Sequence, residues 1–200
     1  GRFAFKFEVE FGWGPETRLF PDAALKVWEG SLQVPGHLMG VEKLWNSFGQ
    51  QILEWRDDRC DFRLTTHRGT ETGKWMGPSQ VRRESLVFEV EGGIDDVLTL
   101  TVDGEQYALP VRMLLQGTRI YAQYSQCERR IIKKFGPTPH YRDDFIWHCA
   151  FKFRVRRAVP SPAYTLNESF TTTLDAGSQY RLRVWLKNGD AAWTSPIFCR

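Results

Sequence analysis

The sequence predicts an all-β fold: a two-sheet antiparallel β-sandwich of jelly-roll type with one or two short helices. Three observations lead there. Stretch after stretch alternates apolar and polar residues with period two, as half-buried strands do. Turn signals, above all Asp103-Gly104 and Asn188-Gly189, punctuate the alternation. Aromatic residues make up 14% of the chain, with 8 Trp and 14 Phe, a composition that suits strands and leaves aromatics over for a surface. Many strands joined by turns, with no fixed repeat and no Ser/Gly linker, argue for two packed sheets. The 200 residues suit one domain over 1–200 with a substantial core.

The elements follow in order. "RFAFKFEVEF" (2–11) sets Phe3, Phe5, Phe7, Val9 and Phe11 on one face, with Arg2, Lys6, Glu8 and Glu10 on the other. In "ALKVWEGSLQV" the apolar phase changes between Leu25/Val27 and Leu32/Val34, so a bulge or kink is expected at Gly30. "CDFRLTT" and "SLVFEV" alternate again. In "VLTLTVDGEQYAL" the Asp-Gly turn places Leu100 opposite Tyr107 and Leu98 opposite Leu109. The longest strand signal covers 143–157, with Phe145, Trp147, Cys149, Phe151, Phe153 and Val155 inward. A last hairpin turning at Asn188-Gly189 sets Val184 opposite Trp193, making Trp193 core and leaving Trp185 outward beside Arg181 and Arg183. Helical periodicity is confined to 41–53 and to "PVRMLLQG". The expected core includes Phe5, Phe7, Leu98, Leu100, Phe151, Phe153, Val184 and Trp193.

Composition limits the partners. No apolar run approaches the ~18–20 residues of a membrane span. A net charge of +3 does not name a polyanion, although residues 1–100 hold 12 Lys and Arg against 16 Asp and Glu, and the second half is basic. The start at Gly1 reads as an excised module or a processed chain. Cys60, Cys127, Cys149 and Cys199 lack metal spacing, and the strand phases fit buried thiols as well as two disulfides.

Nothing in the pattern carries catalysis. His37, His67, His140 and His148 form no HxH or HExxH pair, so neither a metal nor a cofactor is implied. Asp57-Asp58, Asp95-Asp96 and Asp143-Asp144 are adjacent pairs that read as turn and cap residues, because neighbours on a strand face opposite ways. No nucleophile elbow or phosphate loop is present. "FKFRVRR" and "YRLRVW" could form a basic sheet face with Trp185 for stacking, but nucleic-acid motifs are absent and a solvated face is the expectation.

Binding residues concentrate on loops. "HRGTETGKWMGPSQ" places Trp75 among turn formers, where the indole either stacks on a ligand or folds back over the core edge. Lys74 and Arg68 flank it, as His140 and Arg142 flank Tyr141 in "PTPHYRDD". An apolar ring face with polar groups beside it is what a sugar requires, so these six residues form the expected ligand site. Trp13 in "GWGPE" reads as a plug.

"YRLRVWLKNGDAAWTSPIF" resembles the closing hairpin of bacterial proteins related to the CehA/McbA kind of PHP-type metallohydrolases, through Arg183, Val184, Asn188, Gly189, Ala192, Trp193, Thr194, Ser195, Pro196 and Ile197. The match spans the last tenth of the chain, and that family's catalytic histidine motifs are missing. The resemblance implies an accessory β-sandwich of a larger bacterial protein, and the aromatic-rich sandwich is similar in type to carbohydrate-binding modules. The expected function is therefore non-catalytic binding of a polysaccharide, including an acidic one, in an extracellular or periplasmic setting. The alternative is a structural domain that packs on the catalytic domain of a metallohydrolase in the same chain.

Overall fold

Period-two alternation builds β1 (Arg2–Trp13), with Phe5, Phe7, Val9 and Phe11 buried. The computed structural model describes residues 1–15, 17, 19–43, 50–67, 83–137, 143–165, 167–169, 171–185 and 191–199, with backbone alone at 143–145. The chain divides into two compact units, Gly1–Thr165 and Leu166–Arg200. The first continues through β2 (Leu25–Gln33), β3 (His37–Lys43), β4 (Gln50–Trp55), β5 (Arg59–His67), β6 (Glu84–Gly93), β7 (Val97–Val102) and β8 (Glu105–Pro110). Helix α1 (Val111–Gln116), β9 (Arg119–Ala122), α2 (Tyr124–Phe135), α3 (Asp143–Cys149), β10 (Lys152–Val155) and β11 (Val159–Pro160) complete it.

These strands form two antiparallel sheets. One has the order β3-β6-β1-β10-β9, with β11 also on β1; the other has the order β4-β5-β2-β7-β8. The central strands β1 and β2 supply most of the inner faces, which meet in aromatic contacts. Phe11 lies 5.1 Å from Trp28 and 5.9 Å from Phe62, and Phe62 lies 6.1 Å from Phe88, ring centre to ring centre. Tyr107 of β8 meets Tyr121 of β9 at 5.3 Å, and the Trp55 indole of β4 donates to the Leu38 carbonyl of β3 at 3.3 Å, which ties both open edges. The expected all-β sandwich is what the first unit adopts.

The β7–β8 hairpin has the expected register, Leu100↔Tyr107 and Leu98↔Leu109. Asp103 at φ 49 and Gly104 at φ 84 make the left-handed turn that matches strand twist. Gly30 does something other than expected. β2 pairs with β5 without a break from Leu25↔His67 to Gln33↔Arg59, with Trp28 and Leu32 inward and Leu25 and Val27 exposed. A Cβ at Gly30 would lie 2.5 Å from the Phe62 ring and 2.7 Å from the Thr101 carbonyl oxygen. Glycine there permits close approach of the Phe62 ring, and no phase change occurs. Irregularities fall elsewhere: in β3 between Leu38 and Gly40, in β4 between Ile52 and Glu54, and in β1 between Phe11 and Trp13 opposite β10, where Trp13 lies on the outer face with Glu10 and Arg154.

Three further expectations are corrected. The described parts of 41–53 are strand, since β3 ends at Lys43 and β4 begins at Gln50. Residues 143–157 are not one strand: α3 takes the first part and β10 the second. Ile146, Cys149 and Ala150 share a helical face as readily as 145, 147 and 149 share a strand face, and acidic residues favour a helix start. Packing on α2 decides between them, through the Cys127 thiol, which donates to the Ile146 carbonyl at 3.4 Å, and through Tyr124 against Trp147. Helix α2 itself was not expected, although Tyr124, Cys127, Ile131 and Phe135 recur at helical spacing and Cys127 and Ile131 are buried.

All four cysteines are free thiols, with Cys60, Cys127 and Cys149 buried. Burial pushes the Cys60 thiol up to about 12 and the Cys127 thiol up to about 11, from 9.0. A thiol that holds its proton more tightly when folded contributes stability that is fully present below about pH 9. That contribution is lost as pH rises toward 11 and 12. Urea midpoints should therefore fall between pH 8.5 and 10.5, roughly, and fall less in a Cys60→Ala, Cys127→Ala double variant. At neutral pH a thiol reagent should label the partly exposed Cys199 first; equal labelling of all four in the folded chain would contradict this burial.

The second unit is a β ribbon. β12 (Gln179–Tyr180) pairs with β15 (Ile197–Phe198), and β13 (Arg183–Trp185) pairs with β14 (Ala191–Trp193). The pairing is Gln179↔Phe198 and Tyr180↔Ile197, then Arg183↔Trp193, Val184↔Ala192 and Trp185↔Ala191, so the register slips by one residue between the two ladders. At the slip the Leu182 amide donates to the Thr194 hydroxyl at 3.2 Å instead of to a carbonyl. Val184 therefore does not oppose Trp193, and neither is core: Val184 is 37% exposed and Trp193 66%. The turn residues Asn188 and Gly189 lie outside the described residues.

Candidate ligand-binding surface

The six expected ligand residues, Arg68, Lys74, Trp75, His140, Tyr141 and Arg142, all lie outside the described residues. Their flanks are described. His67 pairs with Leu25 at the start of β2, and Glu84 pairs with Phe11 near the end of β1, so segment 68–82 joins the two sheets at one end of the sandwich. Helix α2, which precedes 138–142, covers the same end. Its Phe135 meets Phe20 at 6.1 Å, and Arg130 reaches Asp22 at 3.3 Å and stands over the Phe151 ring. The described residues that flank 68–82 and 138–142 thus lie toward one end of the first unit.

The outer face of β1 and β10 is charged, but its charges are used internally. Buried Glu10 accepts from Arg154 and from Arg156 at 2.9 Å, and Arg83 stands 3.5 Å away. Arg156 also meets Glu8 at 2.9 Å, and Lys152 donates to the Ala150 carbonyl at 3.2 Å. The Trp13 ring sits between the guanidinium groups of Arg83 and Arg154, at 4.9 and 5.0 Å. These contacts hold Trp13 against the sheet and neutralise most of the basic run that ends β10.

The other sequence-level candidates hold structural positions. Asp57-Asp58 and Asp95-Asp96 occupy turns, where Asp96 accepts from the Gly93 amide at 2.8 Å, and Asp143-Asp144 opens α3. His37 lies 2.8 Å from Asp57 at an exposed turn, and His148 is exposed on α3. Among the described residues no group of three or more His, Cys, Asp or Glu could hold a metal ion.

A further candidate surface lies on the ribbon, and the sequence reading had found half of it, Trp185 beside Arg181 and Arg183. The one-residue slip in the second unit moves Trp193 beside Arg183 and onto the face of Trp185, because side chains of directly paired residues share a side of the ribbon. Arg181, Arg183, Trp185, Ala191, Ala192 and Trp193 line a hollow of about 400 Å³. Arg181 and Trp193 also border a second hollow of about 280 Å³, with Thr194, Ser195 and Pro196. Both indoles are 66% exposed. The signal available in the sequence was the i, i+2 pattern Arg181, Arg183, Trp185; placing Trp193 with it required the true register. Comparison with protein-family models, curated proteins and solved structures finds no match to this chain.

Proposed function

We propose that this chain is a non-catalytic module that binds a polysaccharide. The observation that carries the reading is the pair of exposed indoles, Trp185 and Trp193, on one ribbon face with Arg181 and Arg183. An indole lying in water at its apolar face gains by covering the C–H face of a sugar ring, and guanidinium forks beside it bond hydroxyl or acidic oxygens. Trp75, Tyr141, Arg68, Lys74, His140 and Arg142 are further ligand contacts in this reading, on the strength of their sequence pattern alone. No turnover is expected of the chain itself.

One stacked ring contributes on the order of 1–3 kcal/mol. Trp185→Ala and Trp193→Ala should each weaken retardation by a bound polysaccharide in affinity electrophoresis about ten-fold, with the thermal midpoint unchanged. Trp75→Ala should do the same. The reading fails if the unaltered chain is retarded by no polysaccharide in a broad panel.

A specific observation favours one other role. Leu182, Ile197 and Phe198 of the second unit are exposed as well, and apolar residues on more than one side of a ribbon suit packing against a further domain. A metallohydrolase catalytic domain elsewhere in the same protein would be that partner. Co-purification of such a domain with this chain, lost on Phe198→Asp, would favour the docking role over the sugar role.

A further inference from the structure

We infer that the ribbon face of the second unit selects an anionic glycan chain, one bearing carboxylate or sulfate groups, and holds at least two consecutive sugars. The inference rests on the binding-module reading and goes further by naming the charge and length of the ligand.

The charge follows from what lines the hollow. Arg59, Arg63, Arg112, Arg154 and Arg156 of the first unit each meet a carboxylate within 3 Å, while Arg119, Arg129 and Arg157 have no ion pair among the described residues. Arg181 and Arg183 also have none among the described residues, and both border a hollow that two indoles line. No carboxylate is among the described residues lining either hollow. A guanidinium presents donors in a planar fork that matches a carboxylate or sulfate with two parallel bonds, and a neutral hydroxyl uses only part of that fork. Two such forks beside one hollow, with no carboxylate paired to them among the described residues, complement a ligand that brings its own anions.

The length follows from the layout. Arg181 lies at the slip just before β13 and borders the same hollow as Arg183. The two hollows share Arg181 and Trp193 as a common wall, and the second is bordered by Thr194 and Ser195, whose hydroxyls suit sugar hydroxyls. The first hollow holds both indoles and both guanidinium groups; a chain that crosses the wall into the second also meets Thr194, Ser195 and Pro196. A single-stranded nucleic acid would also stack and pair with arginine, but residues 166–200 carry four basic residues against three acidic ones. That balance offers little of the positive field on which polyphosphate binding depends.

The test uses the full chain in affinity electrophoresis and calorimetry against polygalacturonate, dextran sulfate, neutral dextran and poly(dT), and against mono-, di- and tetragalacturonate. Polygalacturonate or dextran sulfate should bind in preference to neutral dextran, and the stronger of the two identifies the acidic group. Binding should fall about ten-fold or more in an Arg181→Gln, Arg183→Gln double variant and in 0.5 M salt, roughly. The tetrasaccharide should bind at least ten-fold more tightly than the monosaccharide, on the order expected when a second ring is covered. These side chains lie at the ribbon surface, so an unchanged circular dichroism spectrum and melting temperature certify the variants. Neutral dextran bound as tightly as the acidic polymers, with no effect of salt, overturns the anionic proposal while leaving polysaccharide binding intact. Preference for poly(dT) overturns it in favour of nucleic acid, and retention of no glycan overturns both readings together.

Discussion

Phe153→Ala should destabilise the first unit by about 3–5 kcal/mol. Phe153 is fully buried at the middle of β10, with ring centres of Phe11, Tyr107 and Tyr121 at 5.5, 4.9 and 5.3 Å. Those three rings belong to β1, β8 and β9, so the cavity opens where both sheets and one open edge meet. Relaxation is limited there because Tyr107 and Tyr121 also hold each other across that edge. Urea unfolding followed by far-ultraviolet circular dichroism would show the midpoint shift. Phe153→Leu should lose less, about 1–2 kcal/mol, since it keeps most of the apolar volume. An alanine variant as stable as the parent chain would mean that β10 does not face the core.

Glu10→Ala should cost about 2–3 kcal/mol by a different route. Glu10 is 5% exposed, although it lies on the outward phase of β1, because the side chains of Arg83, Arg154 and Arg156 close over it. Removing the carboxylate takes the shared acid from Arg83 and Arg154, while Arg156 keeps Glu8 at 2.9 Å. Their partial exposure lets water recover some of the loss, which holds the effect below that of breaking a fully buried pair. Replacing Arg154 with Met in the same chain should recover part of the loss, because the leftover charge is then smaller and the stem of the side chain is kept. Equal stability of the single and double variants would show that the three arginines do not share Glu10. Trp13 should report the same change by fluorescence, since Arg83 and Arg154 flank its ring.

The contrast between β7–β8 and the terminal ribbon shows where sequence reading succeeds. Both hairpins were read from an Asx-Gly pair. At Asp103-Gly104 the two-residue turn sets the whole register, because unbroken backbone bonding carries it from Val102↔Glu105 to Val97↔Pro110. In the ribbon the Thr194 hydroxyl replaces one ladder acceptor and the register slips, which transfers Trp193 from an expected core position to the face of Trp185. A period-two pattern alone does not reveal a slip, since either register leaves alternation intact along each strand. The candidate surface on the ribbon was therefore legible only in half, as Arg181, Arg183 and Trp185.

By itself the sequence determined the strand-rich sandwich, the inner faces of β1, β5, β6, β7 and β8, and α1, because these depend on local alternation and turn chemistry that the chain carries in short stretches. Tertiary structure decided the rest. It made 143–149 a helix by giving α2 a partner face, and it made Gly30 a point of close approach to Phe62 instead of a bulge. It also folded Arg154 and Arg156 onto Glu8 and Glu10, while Arg181 and Arg183 stand beside exposed indoles with no ion pair among the described residues. The physical reason is common to all three: each outcome depends on which distant residue arrives opposite, and alternation within one stretch does not encode that.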